Sequence, residues 1–178
     1  MSILWDVRTI QLNNIQANKS FIQATFHLTG TNINGLITNV YFPQETALKA
    51  QILNTLSELN SYRPYPLWIS GGNYNMIESL DEKQGGRSRA NNDGNLLKNY
   101  IHNNWLMDIP TRNGLFTWSN KREGSQQIVS RLDRFLISDN ATHLRGEFTA
   151  SILPISGSDH WPIELQWNRP GNNLNRPF

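Results

Sequence analysis

The sequence predicts an α+β or mixed α/β layered fold, on three observations. Strand-like runs and helix-period runs alternate along the chain. Two of the strand runs meet at Asn34-Gly35, a tight-turn signal that makes an antiparallel hairpin. Between the two helical segments lies Leu67-Trp68-Ile69-Ser70, a short apolar run with the length of a buried strand.

In order, residues 3–12 and 20–28 read as strands. Phe21-Ile22-Gln23-Ala24-Thr25-Phe26-His27-Leu28 mixes β-branched and aromatic residues with polar ones. Leu36 to Tyr41 is the next strand, stopped at Pro43. From Glu45 to about Tyr62 the period changes. Leu48, Ile52, Leu56 and Leu59 recur at three- and four-residue spacing, and Pro64 and Pro66 end the helix. The run 67–70 delivers Gly71-Gly72-Asn73 to a sheet edge, and residues 78–92 read as a loop around Gly85-Gly86. A second helix is expected over 93–105, with Leu97, Ile101 and Trp105 on one stripe and Asp93 as its N-cap. Asn113-Gly114 marks a turn, Ile128 to Ile137 a strand, and 148–153 and 162–167 the last strands. The expected organisation is one domain over 1–167 and a flexible tail over 168–178, rich in Asn, Pro and Gly. No internal repeat is visible.

Composition narrows the classes. A chain of 178 residues is long enough for one domain with a core. Its 38% hydrophobic and 17% charged content is that of a polar, water-soluble domain. The net charge of +2 permits a nucleic-acid partner without arguing for one. No cysteine is present, which excludes a disulfide framework and a Cys-based zinc site and suits an intracellular location. No apolar run reaches about 18 residues, so no membrane span is expected. The start, Met1-Ser2-Ile3-Leu4-Trp5-Asp6, lacks the basic-then-apolar pattern of a signal peptide and passes at once into strand-like sequence.

Three short pieces stand out: Gly72-Asn73-Tyr74-Asn75, Ser130-Arg131-Leu132-Asp133-Arg134 and Ser158-Asp159-His160-Trp161-Pro162. Asp159-His160 sits in a loop opened by Gly157 and closed by Pro162, a usual place for catalysis. A carboxylate such as Asp133 that accepts a bond from imidazole fixes the ring tautomer and supports its protonated form. A neighbouring Asp suits a hard divalent cation. A lone Asp in a strand is as often a turn or salt-bridge residue. Lys121, Arg122, Arg131 and Arg134 lie near Trp118 in sequence, a basic–aromatic neighbourhood that suits a nucleic acid and equally a solvated face. Arg87 and Arg89 read either as phosphate contacts or as plain surface. Trp5, Trp68 and Trp105 read as core or interface.

Taken together and in this order, the three pieces resemble the motifs of the endonuclease/exonuclease/phosphatase superfamily, the Mg²⁺-dependent phosphodiesterases of exonuclease III and DNase I type. Asn39-Val40-Tyr41-Phe42-Pro43 looks like that family's Asn-x-Tyr-x-Pro element, and Phe116-Thr117-Trp118-Ser119 also matches. The resemblance runs from about residue 4 to 167 and is greatest to the endonuclease-type domain of plant LINE-type non-LTR retroelements, whose Gly-Gly-Asp-Phe-Asn-Met-Ile reads here Gly71-Gly72-Asn73-Tyr74-Asn75-Met76-Ile77. It implies a DNase I-like four-layer αββα sandwich with the site at one rim. It implies that His160 holds the scissile phosphate or activates water and that Asp133 orients it. It implies Asp159 at the Mg²⁺, Asn75 on the phosphate or nucleophile, and Tyr41 donating to phosphate. Trp118, Arg122 and Arg131 are the expected substrate contacts, and DNA or RNA the expected substrate.

Two departures qualify this. The acid of Gly-Asp-x-Asn is Asn73, an amide of nearly the same shape that can neither take nor give the proton. In the family, a strand bearing Asn and a strand-end metal-binding Glu precede the segment that Leu4-Trp5-Asp6 resembles. The expectation is a sandwich incomplete at the N-terminus, weak Mg²⁺ binding, and activity weak or lost. An uncovered sheet face would then be open to a protein partner. The alternative is a non-catalytic nucleic-acid or protein binding module.

Overall fold

The main sheet of the computed structural model, which describes residues 1–61, 65–86, 92–154 and 157–169, starts from strands whose hairpin turns over residues 29–33, so Asn34-Gly35, expected as the turn, lie inside a strand opposite His27 and Phe26. Strands β1 (Ile10–Ala17), β2 (Phe21–Leu28) and β3 (Asn34–Tyr41) form an antiparallel meander. Helix α1 (Thr46–Ser61) then crosses over to β4 (Leu67–Asn73), which pairs parallel to β3. Next come a two-residue strand β5 (Lys83–Gln84), helix α2 (Asn92–Asn103) and β6 (Leu106–Ile109). Two more short strands, β7 (Trp118–Ser119) and β8 (Val129–Ser130), lead to β9 (Asp133–Ser138). The chain closes with β10 (Glu147–Ile152) and β11 (Ile163–Asn168). The main sheet has the order β1-β2-β3-β4-β9-β6, β5-β8-β7 form a second small sheet, and β10-β11 a third.

Strand alternation separates two cores. On one face Phe21, Leu36, Val40, Trp68, Leu106 and Leu136 pack against Leu53 and Leu56 of α1 and Leu97 and Tyr100 of α2. On the other, Phe26, Leu67 and Ile137 meet Phe148, Leu165 and Trp167 of the β10–β11 pair. The architecture is α+β, with helices on one side of the main sheet and strands on the other. Beside β11 this second face is open. A groove of about 400 Å³ runs between Trp167 and the segment Ile3-Leu4-Trp5, floored by Ile37 and Ile69. No described helix is long and apolar enough to cross a membrane.

Several elements differ from the sequence reading. The first strand is Ile10–Ala17 rather than 3–12, because Asp6 closes a turn. Its carboxylate accepts the Arg8 N–H, and its carbonyl accepts the N–H groups of Thr9 and Ile10. Asn13-Asn14 does not end that strand; Asn14 takes φ 51° and the register shifts there, which is a bulge. The 128–137 strand is broken at Arg131–Leu132, so its halves serve two sheets. Asp93 is no N-cap. It lies inside the first turn of α2 and accepts from Thr46 Oγ1 and the Lys49 ammonium. The buried stripe of α1 is Lys49, Leu53 and Leu56 rather than one through Leu48. Of the three tryptophans read as core or interface, Trp68 is buried, Trp5 is 43% exposed and Trp105 is 72% exposed. Pro64, Arg87, Arg89 and the tail from 170 lie outside the described residues.

Gly72 has φ 129°, and a Cβ there would run into the Val40 carbonyl of the neighbouring strand. Substitution to Ala therefore meets both a left-handed backbone and a parallel neighbour. Gly72→Ala is expected to destabilise the chain by about 1–3 kcal/mol, read by chemical denaturation.

Candidate active site

Sheet topology gathers the site. Tyr41 ends β3, Asn73 ends β4, and the parallel register sets them side by side. Asp133 opens the antiparallel β9 and pairs with Asn73 from the other side. Three strand ends thus meet at one rim of the main sheet. The loop after β10 brings Asp159 and His160 to the same rim, where Trp118 and His160 form an isolated antiparallel bridge. A cleft of about 530 Å³ opens there, lined by Tyr41, Asn73, Asn75, Trp118, Asp159 and His160 among others.

The His160 ring pairs with Asp133, Nδ1 to Oδ2 at 2.8 Å. A carboxylate oxygen accepts, so the pair places the proton on Nδ1 and leaves Nε2 as the basic nitrogen of the neutral ring. The Asp133 hydrogen bond and charge raise the His160 pKa above its ordinary 6.5 against the opposing effect of burial. Because the folded value is raised, the stabilisation from this pair is complete below about 6.5 and is lost as pH rises through the folded value. Asp133→Asn is expected to move the His160 titration down toward 6.5, followed by NMR. Its stability deficit relative to wild type is expected to narrow as pH rises through that window.

Asp159 is held differently. Its Oδ2 accepts the indole N–H of Trp118 at 2.9 Å, and this bond is the main reason its carboxyl titrates below its ordinary value. A backbone N–H bond to the same carboxylate acts in the same direction. In the cleft the other carboxylate is Asp93, already bonded to Thr46 and Lys49. Mg²⁺ is commonly held by one or two carboxylates plus waters and substrate phosphate. Among the described residues of the cleft the donors fit such a cation through Asp159, so the fit is a sparse one. A second acidic group, Glu78, Glu82 and Asp108, lies together elsewhere, but Arg131 and Arg134 bridge Glu82 and Asp108.

Asn73 is nearly buried, and its Oδ1 accepts the backbone N–H of Asn75 at 2.7 Å. Asn75 has φ 51°, its amide donates to the Phe42 carbonyl, and its Oδ1 accepts from Gln44 at 2.9 Å. Both ends of the Asn75 side chain are thus taken up within the chain. Lys49 donates to the Asn75 carbonyl at 2.7 Å and to Asp93 at 2.6 Å, fixing the turn from behind. Tyr41 is 57% exposed over the cleft.

The expected substrate contacts separate. Trp118 lines the cleft, and Arg122 is exposed. Arg131 is turned inward, bonded to Glu82 and Asp108 at 2.8 and 2.6 Å, and so is a buried framework residue with no face toward the cleft. Arg134 lies in the same network and is 1% exposed. Lys49 has no expected role from sequence, and Thr117 enters only within the element Phe116-Thr117-Trp118-Ser119. The signal for Lys49 was a charge on an apolar helical stripe, at the i, i+4, i+7 spacing with Leu53 and Leu56.

No protein-family model matches the sequence, and no curated protein matches it. Solved structures do match. The endonuclease domain of TRAS1, a telomere-specific non-LTR retrotransposon, superimposes with a TM-score of 0.63 at 16% identity, covering 85% of this chain and 64% of that one. A Staphylococcus aureus beta toxin gives 0.59 at 14% identity, covering 84% and 57%. An endonuclease/exonuclease/phosphatase family protein from Bacteroides thetaiotaomicron gives 0.56 at 12% identity, covering 90% and 66%. The chain therefore has the fold of these proteins and spans less than two thirds of the length of each.

Proposed function

We propose that this chain is a retroelement-derived endonuclease/exonuclease/phosphatase-type domain whose phosphodiester-cleaving site is muted by Asn73. The observation that carries the reading is the His160–Asp133 pair beside Asp159 and Asn73 at one sheet rim. Strand pairing brings the three motif segments, far apart in sequence, to that one rim.

The geometry supports the following roles. His160, held by Asp133, presents Nε2 to a phosphate oxygen or to the attacking water. Tyr41 reaches the phosphate with its hydroxyl. Trp118 serves Asp159 through its N–H and offers its ring edge to the substrate, and Arg122 adds a charge at the periphery. Asn75 keeps the Asn73 turn in shape through Phe42 and Gln44. A Mg²⁺ held by Asp159 would neutralise charge on the phosphoryl oxygens. Position 73 is where the proton would be handled, and an amide holds the turn without doing so.

A nucleic acid is the proposed substrate, in keeping with the retrotransposon endonuclease domain among the similar folds. The open apolar groove beside β11 supports a protein partner on that face. A specific observation also favours a second reading, a binding module without chemistry: Asn73 leaves the cleft intact in shape.

The test combines binding with cleavage. Fluorescence anisotropy with a labelled duplex and a labelled single strand is expected to show binding that weakens as salt rises. No binding at low salt removes the nucleic-acid substrate. Mg²⁺-dependent cleavage by the unmodified chain as fast as by Asn73→Asp, and abolished in His160→Ala, removes the claim that Asn73 mutes the site.

A further inference from the structure

Thr117 is fully buried, although it carries a hydroxyl and sits one residue from the cleft-lining Trp118. All of its polar groups are engaged at the junction of two candidate site segments. Its N–H donates to the Ser130 carbonyl at 3.0 Å. Its Oγ1 accepts two backbone N–H groups, those of Leu132 and Asp133, each at 2.9 Å. Its carbonyl accepts the Trp161 N–H at 2.8 Å. One residue therefore binds the turn that begins β9 on one side and the loop that carries His160 on the other.

The break between β8 and β9 creates the need. The chain leaves the small sheet after Ser130 and joins the main sheet at Asp133. Between them the N–H groups of Leu132 and Asp133 are supplied with a shared acceptor, which a hydroxyl with two lone pairs can be. Ser119 extends the clamp by donating its N–H to the Asp159 carbonyl at 3.0 Å.

We propose that Thr117 is a positioning residue: by tying the Asp133 turn to the His160 loop, it sets the contact between those two side chains. The proposal rests on reading His160 and Asp133 as a working pair, but its test involves no turnover, so an inactive chain leaves it intact. Valine has the shape of threonine without the acceptor. Thr117→Val removes the shared acceptor, so the turn carrying Asp133 shifts and the Nδ1 contact opens. Serine keeps the oxygen, so Thr117→Ser retains the contact.

The experiment uses the full chain labelled with ¹⁵N, at a pH above the imidazole titration. Two-bond proton–nitrogen correlation of the ring reports which nitrogen of His160 bears the proton, and circular dichroism reports folding. Wild type and Thr117→Ser are expected to hold the proton on Nδ1. Thr117→Val is expected to lose that preference while keeping the wild-type spectrum. A folded Thr117→Val that still holds the proton on Nδ1 overturns the proposal. So does a Thr117→Val that fails to fold, since Thr117 would then serve the framework as a whole. A wild type without the Nδ1 proton, or a Thr117→Ser that behaves like the valine variant, overturns it as well.

Discussion

Arg134→Met is expected to destabilise the chain by about 3–5 kcal/mol, a large share of the stability of a domain this size. The guanidinium is buried and bonds Glu82 at 2.8 Å, Asp108 at 2.6 Å and the Met76 carbonyl at 3.2 Å. Arg131 reaches the same two carboxylates. Removing Arg134 leaves the buried Glu82 and the half-buried Asp108 facing one guanidinium, and the uncompensated charge is what costs. Burial pushes the Glu82 carboxyl upward, but the Arg134 hydrogen bond and charge outweigh it and hold the pKa below its ordinary 4.5. A depressed folded value means that the Glu82 contribution is present above about 4.5 and is lost as pH falls through the folded value. Wild type should therefore lose stability in acid over that window, and Arg134→Met should lack this part of the loss. Urea denaturation at neutral and acid pH checks both. Arg122→Met, at an exposed site, is expected to change stability by no more than about 0.5 kcal/mol.

Asn73→Asp is expected to raise Mg²⁺-dependent phosphodiester cleavage by roughly 10²–10⁴-fold, the range typical of general acid–base help. The exchange is nearly isosteric. The oxygen that accepts the Asn75 N–H is kept, so the turn at the end of β4 keeps its bond. Among the described residues the bond of the Asn73 side chain runs through its Oδ1, so the exchange at Nδ2 breaks no bond among them. It arrives beside the His160–Asp133 pair, where a group able to exchange a proton is within the same cleft. The melting temperature is expected to change little, because shape and the turn bond are both retained.

Much of the fold is legible in local sequence. β2 and β3 carry β-branched and aromatic residues, although their turn falls at 29–33 and not at Asn34-Gly35, and α1 and α2 carry apolar residues at helical spacing. What local pattern does not contain is which residues are called elsewhere. Val129 to Ser138 is uniformly strand-like, yet Arg131 is drawn into a buried ion network with Glu82 and Asp108, and the strand breaks there. Asp93 has cap chemistry, but Lys49, 44 positions away, claims its carboxylate. Leu106–Ile109 is too short to stand out and becomes a strand by pairing with β9. The same holds for the candidate site. Its motifs could be marked in sequence, but the shared rim depends on strand order. Thr117 looks like an ordinary strand residue until its oxygen is found between two backbone N–H groups.

The measurement that bears most directly on the account is nicking of supercoiled plasmid in Mg²⁺ by three chains side by side: wild type, Asn73→Asp, and Asn73→Asp with His160→Ala. Asn73→Asp is expected to nick at a rate at least about 10²-fold above wild type, and the double variant to lose this activity. Equal rates for wild type and Asn73→Asp, or nicking that survives His160→Ala, would contradict that expectation.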